Sequence, residues 1–372
     1  MFDREGFKFD LVTQRFMKNR WDTPLGQKVR EEVIQGLKHS LEIRAILDDY
    51  VLDHPSNIEP YGYPYYPADA IEKKEFWVLT NDDLRGIHLY NEDFSNSPSL
   101  ERKSLSYSSF YNCKLNGAEI ASADLSYARF EKCDLSAAIL ASTGGFSTRF
   151  INCNMSMACL WKSSFIDTHF LGCDLTGAYF EDAFLFDLHV NYLTKFDLNL
   201  QAKWSERLLP SGQRPDILRS IRVAYEKAEL WHIADRYLYQ ERVENRKYVL
   251  WPLLKQQPKS KLFFQWLKDL SGSFLSGYGI KPVRVIGLGF IVSLIFAACY
   301  YVLGTPKAGQ DFTKTSLESL YFSFATFATL GYGDITYGAD RPFMRLLSTG
   351  EAWCGAITIA LFVAGLARKL LR

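Results

Sequence analysis

The chain has 372 residues, 48% hydrophobic and 15% aromatic, with 43 Lys and Arg against 42 Asp and Glu. That composition excludes a disordered tail, a collagenous rod and a uniformly basic nucleic-acid coat, and the length leaves room for two or three domains. Seven Cys, an odd number without the close spacing of a disulfide framework, point to a reducing compartment.

The amino terminus, Met1-Phe2-Asp3-Arg4-Glu5, is charged and lacks an apolar leader core. No cleaved signal peptide is expected, and the amino-terminal part is expected to stay in the cytosol. Residues 1–80 form the first of four expected regions, mixed or helical. A helix is predicted around Gln27 to Leu47, then a Pro/Tyr-rich loop at Pro55 to Pro67.

Residues 81–200 carry a repeat. From Leu105 to Val190 an apolar residue recurs at every fifth position, opening with Leu105, Phe110, Leu115, Ile120, Leu125 and Phe130, and Gly145 is the sole lapse. Two residues before most of these sits a small one, as in Ala118, Ala123, Ala128, Ala138 and Ala158. A period of five fits neither an amphipathic helix nor a half-buried flat strand. Cys113, Cys133, Cys153 and Cys173 are each 20 apart, as are Phe110, Phe130, Phe150 and Phe170. Twenty residues then make one coil of four sides, with identical residues stacked about 4.8 Å apart, the spacing of neighbouring strands. Leu84, Leu89 and Phe94 read as a weaker first coil, displaced by one residue near Pro98.

The Cys column reads as small core residues rather than a metal or redox site. Arg129, Arg149, His169 and His189 form an outward basic column, read as a solvated surface, with ligand binding or pH sensing as the lesser alternative. The six His are otherwise scattered and show no zinc spacing. Over about residues 84–190 the chain resembles the pentapeptide-repeat family. The resemblance implies a right-handed quadrilateral β-helix.

Residues 201–280 read as a basic helical linker. Lys203 to Arg284 holds 16 Lys and Arg against 8 Asp and Glu, whereas Arg85 to Asp197 holds 9 against 13, so the charge changes sign at the boundary. Asp216 to Leu250 reads as a helix pair broken near Leu230, with Asp216 as the cap after Pro215. Lys255 to Lys268, with Phe263, Phe264, Trp266 and Leu267, suits an amphipathic helix on the inner leaflet or a buried inter-domain helix.

Residues 281–372 change character again. Val285 to Leu303 contains no charge and spans about 28 Å as a helix, enough for a hydrocarbon core of about 30 Å. A second stretch, Leu346 to Leu366, is charged only at Glu351. The spans are placed at 283–304 and 343–367. Nine Lys and Arg flank them on one side, including Lys281, Arg284 and Arg368, and four lie between them, which sets both termini inside.

Between the spans lies a shorter apolar helix, predicted at 316–328, and then Thr329-Leu330-Gly331-Tyr332-Gly333-Asp334. A helix too short to cross, followed by extended glycine-bearing chain, is tolerable in a membrane only where its irregular backbone faces a water-filled path. Carbonyl oxygens that replace a cation's hydration shell must all point to one axis, and glycine permits the dihedrals this needs. Gly331 and Gly333 supply that freedom.

This segment resembles the potassium-channel family, over about Val285 to Leu371, in the two-helix layout without a voltage sensor. The resemblance implies a selectivity filter at 329–334: Thr329 offers carbonyl and hydroxyl to the innermost potassium site, Leu330, Gly331 and Tyr332 offer carbonyls to the outer ones, Gly333 completes the strand, and Asp334 flanks the mouth. It implies four copies, because one strand cannot surround an ion. Tyr321, Phe322 and Thr326 stand where the family braces its filter, and Gly355, in Glu351-Ala-Trp-Cys-Gly355, is a hinge candidate. Leu330 replaces the commoner Val, and Ala325 stands where some members carry a carboxylate. Glu351 is expected to hydrogen-bond behind the pore helix without touching ions. A second Gly-Tyr-Gly, Gly277-Tyr278-Gly279, lacks the threonine, helix and aspartate and reads as a turn.

The expected fold is thus a multidomain membrane protein, a right-handed quadrilateral β-helix plus helical linker plus all-α two-helix pore domain. The expected function is passive, potassium-selective conduction by a homotetramer in the inner membrane of a bacterium, with a regulatory or assembly role for the β-helix. No catalytic residue, enzyme activity or cofactor is expected, and potassium is the permeant ligand. The lipid bilayer is a partner, the β-helix is open to an unidentified cytosolic ligand or protein, and no nucleic acid is expected. The alternatives are a non-selective cation channel and a membrane-tethered pentapeptide-repeat interaction module.

Overall fold

A computed structural model describes residues 17–39, 43–51, 76, 78, 80–97, 100–196, 214–255, 282–303, 316–333 and 341–370. The Pro55–Pro67 loop, the Lys255–Lys268 helix past its first residue, the Gly277–Gly279 turn and Asp334 lie outside them. The chain divides into two units, Met1–Glu244 and Asn245–Arg372.

In the first unit the period of five becomes a β-solenoid of about five coils. The short strands β1 (His88–Tyr90), β2 (Ser109–Tyr111), β3 (Arg129–Glu131), β5 (Arg149–Ile151), β7 (His169–Leu171) and β9 (His189–Val190) pair in that order into one parallel sheet. β4 (Gly144–Phe146), β6 (Ser164–Ile166) and β8 (Phe184–Phe186) make a second. Phe110 pairs with Phe130, Phe130 with Phe150 and Phe150 with Phe170, a register of 20 residues per coil. Bridges such as Lys114 to Asp134 and Glu119 to Ile139 close the other two sides. Leu89 pairs with Phe110, so the first coil holds the one extra residue that the sequence pattern places near Pro98. A second extra residue, not legible in that pattern, lies at the far end, where Asp174 pairs with Lys195. Thr194 holds it, its Oγ1 bonding the Phe170 carbonyl at 2.6 Å and Asn191 Oδ1 at 2.9 Å.

The corners explain the period. The carbonyls of Leu115, Leu125 and Leu135 accept from the N–H groups three residues on, at Ala118, Ala128 and Ala138. Two residues after most inward residues the backbone is left-handed, as at Tyr107 (φ 61°), Asn112 (φ 51°), Ser122 (φ 57°) and Tyr127 (φ 60°). At Tyr107 and Tyr127 this is the third residue of a β-turn closed by a hydrogen bond from the fourth residue's N–H to the first one's carbonyl. A non-glycine residue there costs about 1–2 kcal/mol, which the ladder hydrogen bonds and the stacked interior offset. Ala118, Ala128 and Ala138 are buried inside the bends.

Within the coil Phe110, Phe130, Phe150 and Phe170 stack at successive centroid distances of 4.5, 5.1 and 5.2 Å. Cys113, Cys133, Cys153 and Cys173 are buried free thiols. The last three donate to the carbonyls of Phe110, Phe130 and Phe150 at 3.4, 3.4 and 3.2 Å. Hydrogen bonding with Cys133, and then burial, push the Cys113 thiol well above its ordinary range, so it is packing material rather than a nucleophile.

Both ends of the stack are covered, as terminal repeats require. At the amino-terminal end α1 (Pro24–Lys38) begins on a Thr23 cap, whose hydroxyl accepts from Gly26 N at 3.0 Å, with Pro24 at the first helical position. The predicted helix Gln27–Leu47 is in fact two: α1 ends at Lys38 with His39 as its cap, and α2 (Ile43–Leu47) sets Ile43 and Ile46 against the bare face of Gly36. Arg20 and Trp21 anchor this cap, Arg20 to the Asp83 carboxylate at 3.1 Å and Trp21 Nε1 to the Arg85 carbonyl at 2.9 Å. At the other end stand α3 (Arg214–Lys227) and α4 (Trp231–Lys255). Asp216 lies in the first turn of α3 rather than capping it, because the helix already begins at Arg214, before Pro215. The break near Leu230 is a Schellman turn: Leu230 N bonds Tyr225 O, Glu229 N bonds Glu226 O, and Glu229 is left-handed at φ 59°. Tyr225 and Tyr237 stack at 5.6 Å and donate to the carbonyls of Thr194 and Phe196, so the last coil is not left with an open edge.

Among the described residues, the second unit holds the end of α4 and three further helices, α5 (Pro282–Leu303), α6 (Ser316–Phe327) and α7 (Pro342–Leu370). Two stretches, Pro282–Leu303 and Pro342–Ala367, are long and apolar enough to cross a membrane. At 12 residues, or about 18 Å, α6 is too short to do so.

Candidate functional site

The residues that follow α6 have unusual backbone geometry. Thr329, Gly331 and Gly333 are left-handed, at φ 55°, 52° and 76°, while Leu330 and Tyr332 between them are not. Glycine adopts this left-handed backbone at no steric cost, which accounts for the residue type at positions 331 and 333. The helix closes into this segment through Thr329 N to Thr326 O and Leu330 N to Ala325 O, both at 3.0 Å. In the single chain Leu330 is 58% and Tyr332 67% exposed. Apolar and aromatic side chains so placed, beside two apolar helices, call for cover from other chains or lipid.

Behind the segment the three helices share one buried polar knot. Glu351, on α7, is fully buried. The Tyr300 hydroxyl on α5 donates to its Oε2 at 2.6 Å. The Ser323 hydroxyl on α6 bonds its Oε1 and lies 2.8 Å from the Ser293 carbonyl on α5. Phe322 packs edge-on against Tyr300 at 5.0 Å, in a small core with Met344. A carboxyl in an apolar helix survives where its oxygens are bonded, and these bonds tie α6 to both long helices.

The expected site residues separate accordingly. Thr329, Leu330, Gly331, Tyr332 and Gly333 lie together on the strand, Phe322 and Glu351 join the knot behind it, and Thr326 contributes a backbone carbonyl to the strand's root. Tyr321 is exposed on α6. Gly355 lies within continuous α7 and touches the end of α6, where a Cβ would stand 1.8 Å from the Phe327 carbonyl oxygen. Tyr300, Ser293 and Ser323 are additions of the structure. Their signal in the sequence is a polar group recurring in otherwise apolar helices.

Comparison with known proteins fits both units. Residues 288–372 match the ion channel family model, and residues 104–140 and 147–182 match the pentapeptide-repeat model, in eight copies. One chain thus joins pentapeptide repeats to an ion-channel domain. Neither matched family is an enzyme family.

Among curated relatives, two pore potassium channel b of Oryza sativa subsp. japonica is 25% identical over 92 residues, 25% of this chain and 26% of the relative. Two pore potassium channel a of the same plant is 33% identical over 88 residues, 23% and 24% of the two chains. The match therefore spans about a quarter of these relatives' length. Among solved structures, the pentapeptide repeat protein Rfr23 from the cyanobacterium Cyanothece 51142 is 19% identical, covering 31% of this chain and 88% of its own, with a TM-score of 0.26.

Proposed function

We propose that four copies of this chain assemble about one axis into a potassium-selective channel of a bacterial inner membrane. The observation that carries the reading is the alternation of left-handed Thr329, Gly331 and Gly333 at the end of a short apolar helix. The names of the rice relatives, both potassium channels, support the choice of ion.

In this reading the carbonyls of Thr329, Leu330, Gly331 and Tyr332, with the Thr329 hydroxyl, replace the water of a single file of potassium ions. Gly333 lets the strand leave the axis, and Asp334 flanks the outer mouth. Glu351, Ser323 and Tyr300 keep the strand at the right distance from the axis by fixing α6, with Phe322 packed on Tyr300, the Thr326 carbonyl at the strand's root and Tyr321 facing a neighbouring copy. The electrochemical gradient drives the flux, so no cofactor is required. Both termini and the solenoid lie on the cytosolic side, and the solenoid regulates or assembles the pore.

The test is ion flux through liposomes holding the full-length protein, with reversal potentials measured in mixed potassium and sodium. Potassium preference in the native chain and its loss in Gly331→Ala are expected, because alanine at φ 52° costs about 1–2 kcal/mol in every subunit. Equal permeability to both ions in the native chain would replace this reading with that of a non-selective pore.

A further inference from the structure

We propose that Asp167, His169 and His189 form a transition-metal site on the outer surface of the solenoid, with zinc as its natural occupant. One ligand atom from each lies within 4.8 Å of the others. The residues are 2 and 20 positions apart, so no linear zinc motif reveals them; the coil register does. Parallel pairing sets His169 of β7 beside His189 of β9, with rings 4.3 Å apart. The corner just before β7 delivers Asp167, whose Oδ1 is 2.9 Å from His189 Nε2.

The carboxylate is already oriented. Ser147, at the equivalent corner one coil earlier, donates to Asp167 Oδ2 at 2.5 Å, which leaves Oδ1 turned to the imidazoles. Such an outer partner is what a metal-binding carboxylate requires. Zinc bonded at about 2.0–2.1 Å in a tetrahedron holds its ligand atoms about 3.3 Å apart. The Asp167 to His189 pair is within reach of that, and the third ligand closes by turning the His169 ring about its Cβ–Cγ bond. His189 is 40% and Asp167 36% exposed, so the site is open to the solvent that would deliver a metal, while the paired strands hold the backbone.

Arg149 and Asp187 are the charged residues at the neighbouring positions of the stack. Arg149, one coil back in the same column, opposes a bound cation, and the Asp167 carboxylate offsets it. Asp187, at the next equivalent corner, is paired with Lys227. One carboxylate and two imidazoles leave a fourth position open to water or to a further ligand.

The test uses tag-free, full-length protein in detergent micelles, titrated with Co²⁺ and then with competing Zn²⁺, and reads the visible absorption of tetrahedral cobalt. One metal per chain is expected. His169→Gln and His189→Gln should each weaken binding by at least ~100-fold and Ser147→Ala by ~10-fold, with His232→Gln without effect. Thermal melts of the same samples check folding. Absence of the cobalt bands in the native chain, or bands that persist in the folded Asp167→Asn, His169→Gln, His189→Gln triple variant, would overturn the proposal. Conduction plays no part in the readout, so failure here leaves the channel reading untouched.

Discussion

The Gly355 Cα faces the Phe327 carbonyl so closely that a Cβ would come within 1.8 Å of its oxygen. Helix α7 and the end of α6 therefore meet backbone to backbone. Gly289 on α5 approaches the same residue, with the Phe327 ring at 3.2 Å from a Cβ placed there. This spacing sets where the strand after Phe327 begins, whatever freedom Gly355 also lends the helix. Gly355→Ala is expected to displace that strand and abolish flux at a cost of about 1–3 kcal/mol. Flux together with oligomer size by gel filtration checks it: a conducting Gly355→Ala channel with altered gating alone would leave only the hinge role.

Glu351 should tolerate loss of charge better than loss of shape. Glu351→Gln retains an oxygen for the Tyr300 hydroxyl, and its amide can bond Ser323, whereas Glu351→Ala removes the carboxylate acceptor of the Tyr300 hydroxyl and leaves Ser323 the Ser293 carbonyl, untying α7 from α5 and α6. Removing a buried hydrogen-bond acceptor in this way costs about 1–3 kcal/mol. The expected order of potassium flux and of melting temperature is native, then Gln, then Ala. Equal behaviour of the two variants would show that the bonds do not brace the strand.

Burial by itself would raise the Asp83 carboxyl, but Arg20 and Arg85 outweigh it and hold the group well below the usual carboxylate range. A depressed carboxyl stabilises the folded chain above the unfolded value of about 3.9, and that contribution is lost as pH falls below it. Asp83→Asn leaves two guanidiniums without their carboxylate and should cost about 3–5 kcal/mol at pH 7. Denaturant melts should show this gap narrowing below about pH 4. A gap unchanged at low pH would mean that the salt bridge contributes nothing to the cap.

Gly145 breaks the five-residue period, and restoring the period should destabilise the protein. A Cβ at Gly145 would stand 2.7 Å from Phe165 Cδ1 and 2.5 Å from Thr148 Oγ1, because the Phe165 ring of the next coil already fills the space. Gly145→Leu, which completes the repeat on paper, is expected to lower stability by about 1–3 kcal/mol in a thermal melt. An increase would show that the interior has room there.

The solenoid was legible because one physical unit, the corner, repeats every five residues, and stacking identical corners brings like over like. The Phe and Cys columns follow from that, as does the displaced first coil. The extra residue near Thr194 escaped notice because it falls where the apolar period ends. The two spans and the short helix between them were legible from length and hydropathy. The strand at Thr329–Gly333 was legible through its glycines, whose residue type reflects backbone demands.

By itself the sequence determined the periods, the placement of apolar segments and the glycines that permit left-handed backbone after the short helix. These are local properties, set by side-chain size and backbone freedom within a few positions. Only the tertiary structure decided which distant residues meet: Glu351 with Ser323 and Tyr300, Asp83 with Arg20, and Asp167 with the two His of successive coils. Those pairings depend on how helices cross and coils register, and a polar residue's spacing along the chain carries no record of its partner on another element.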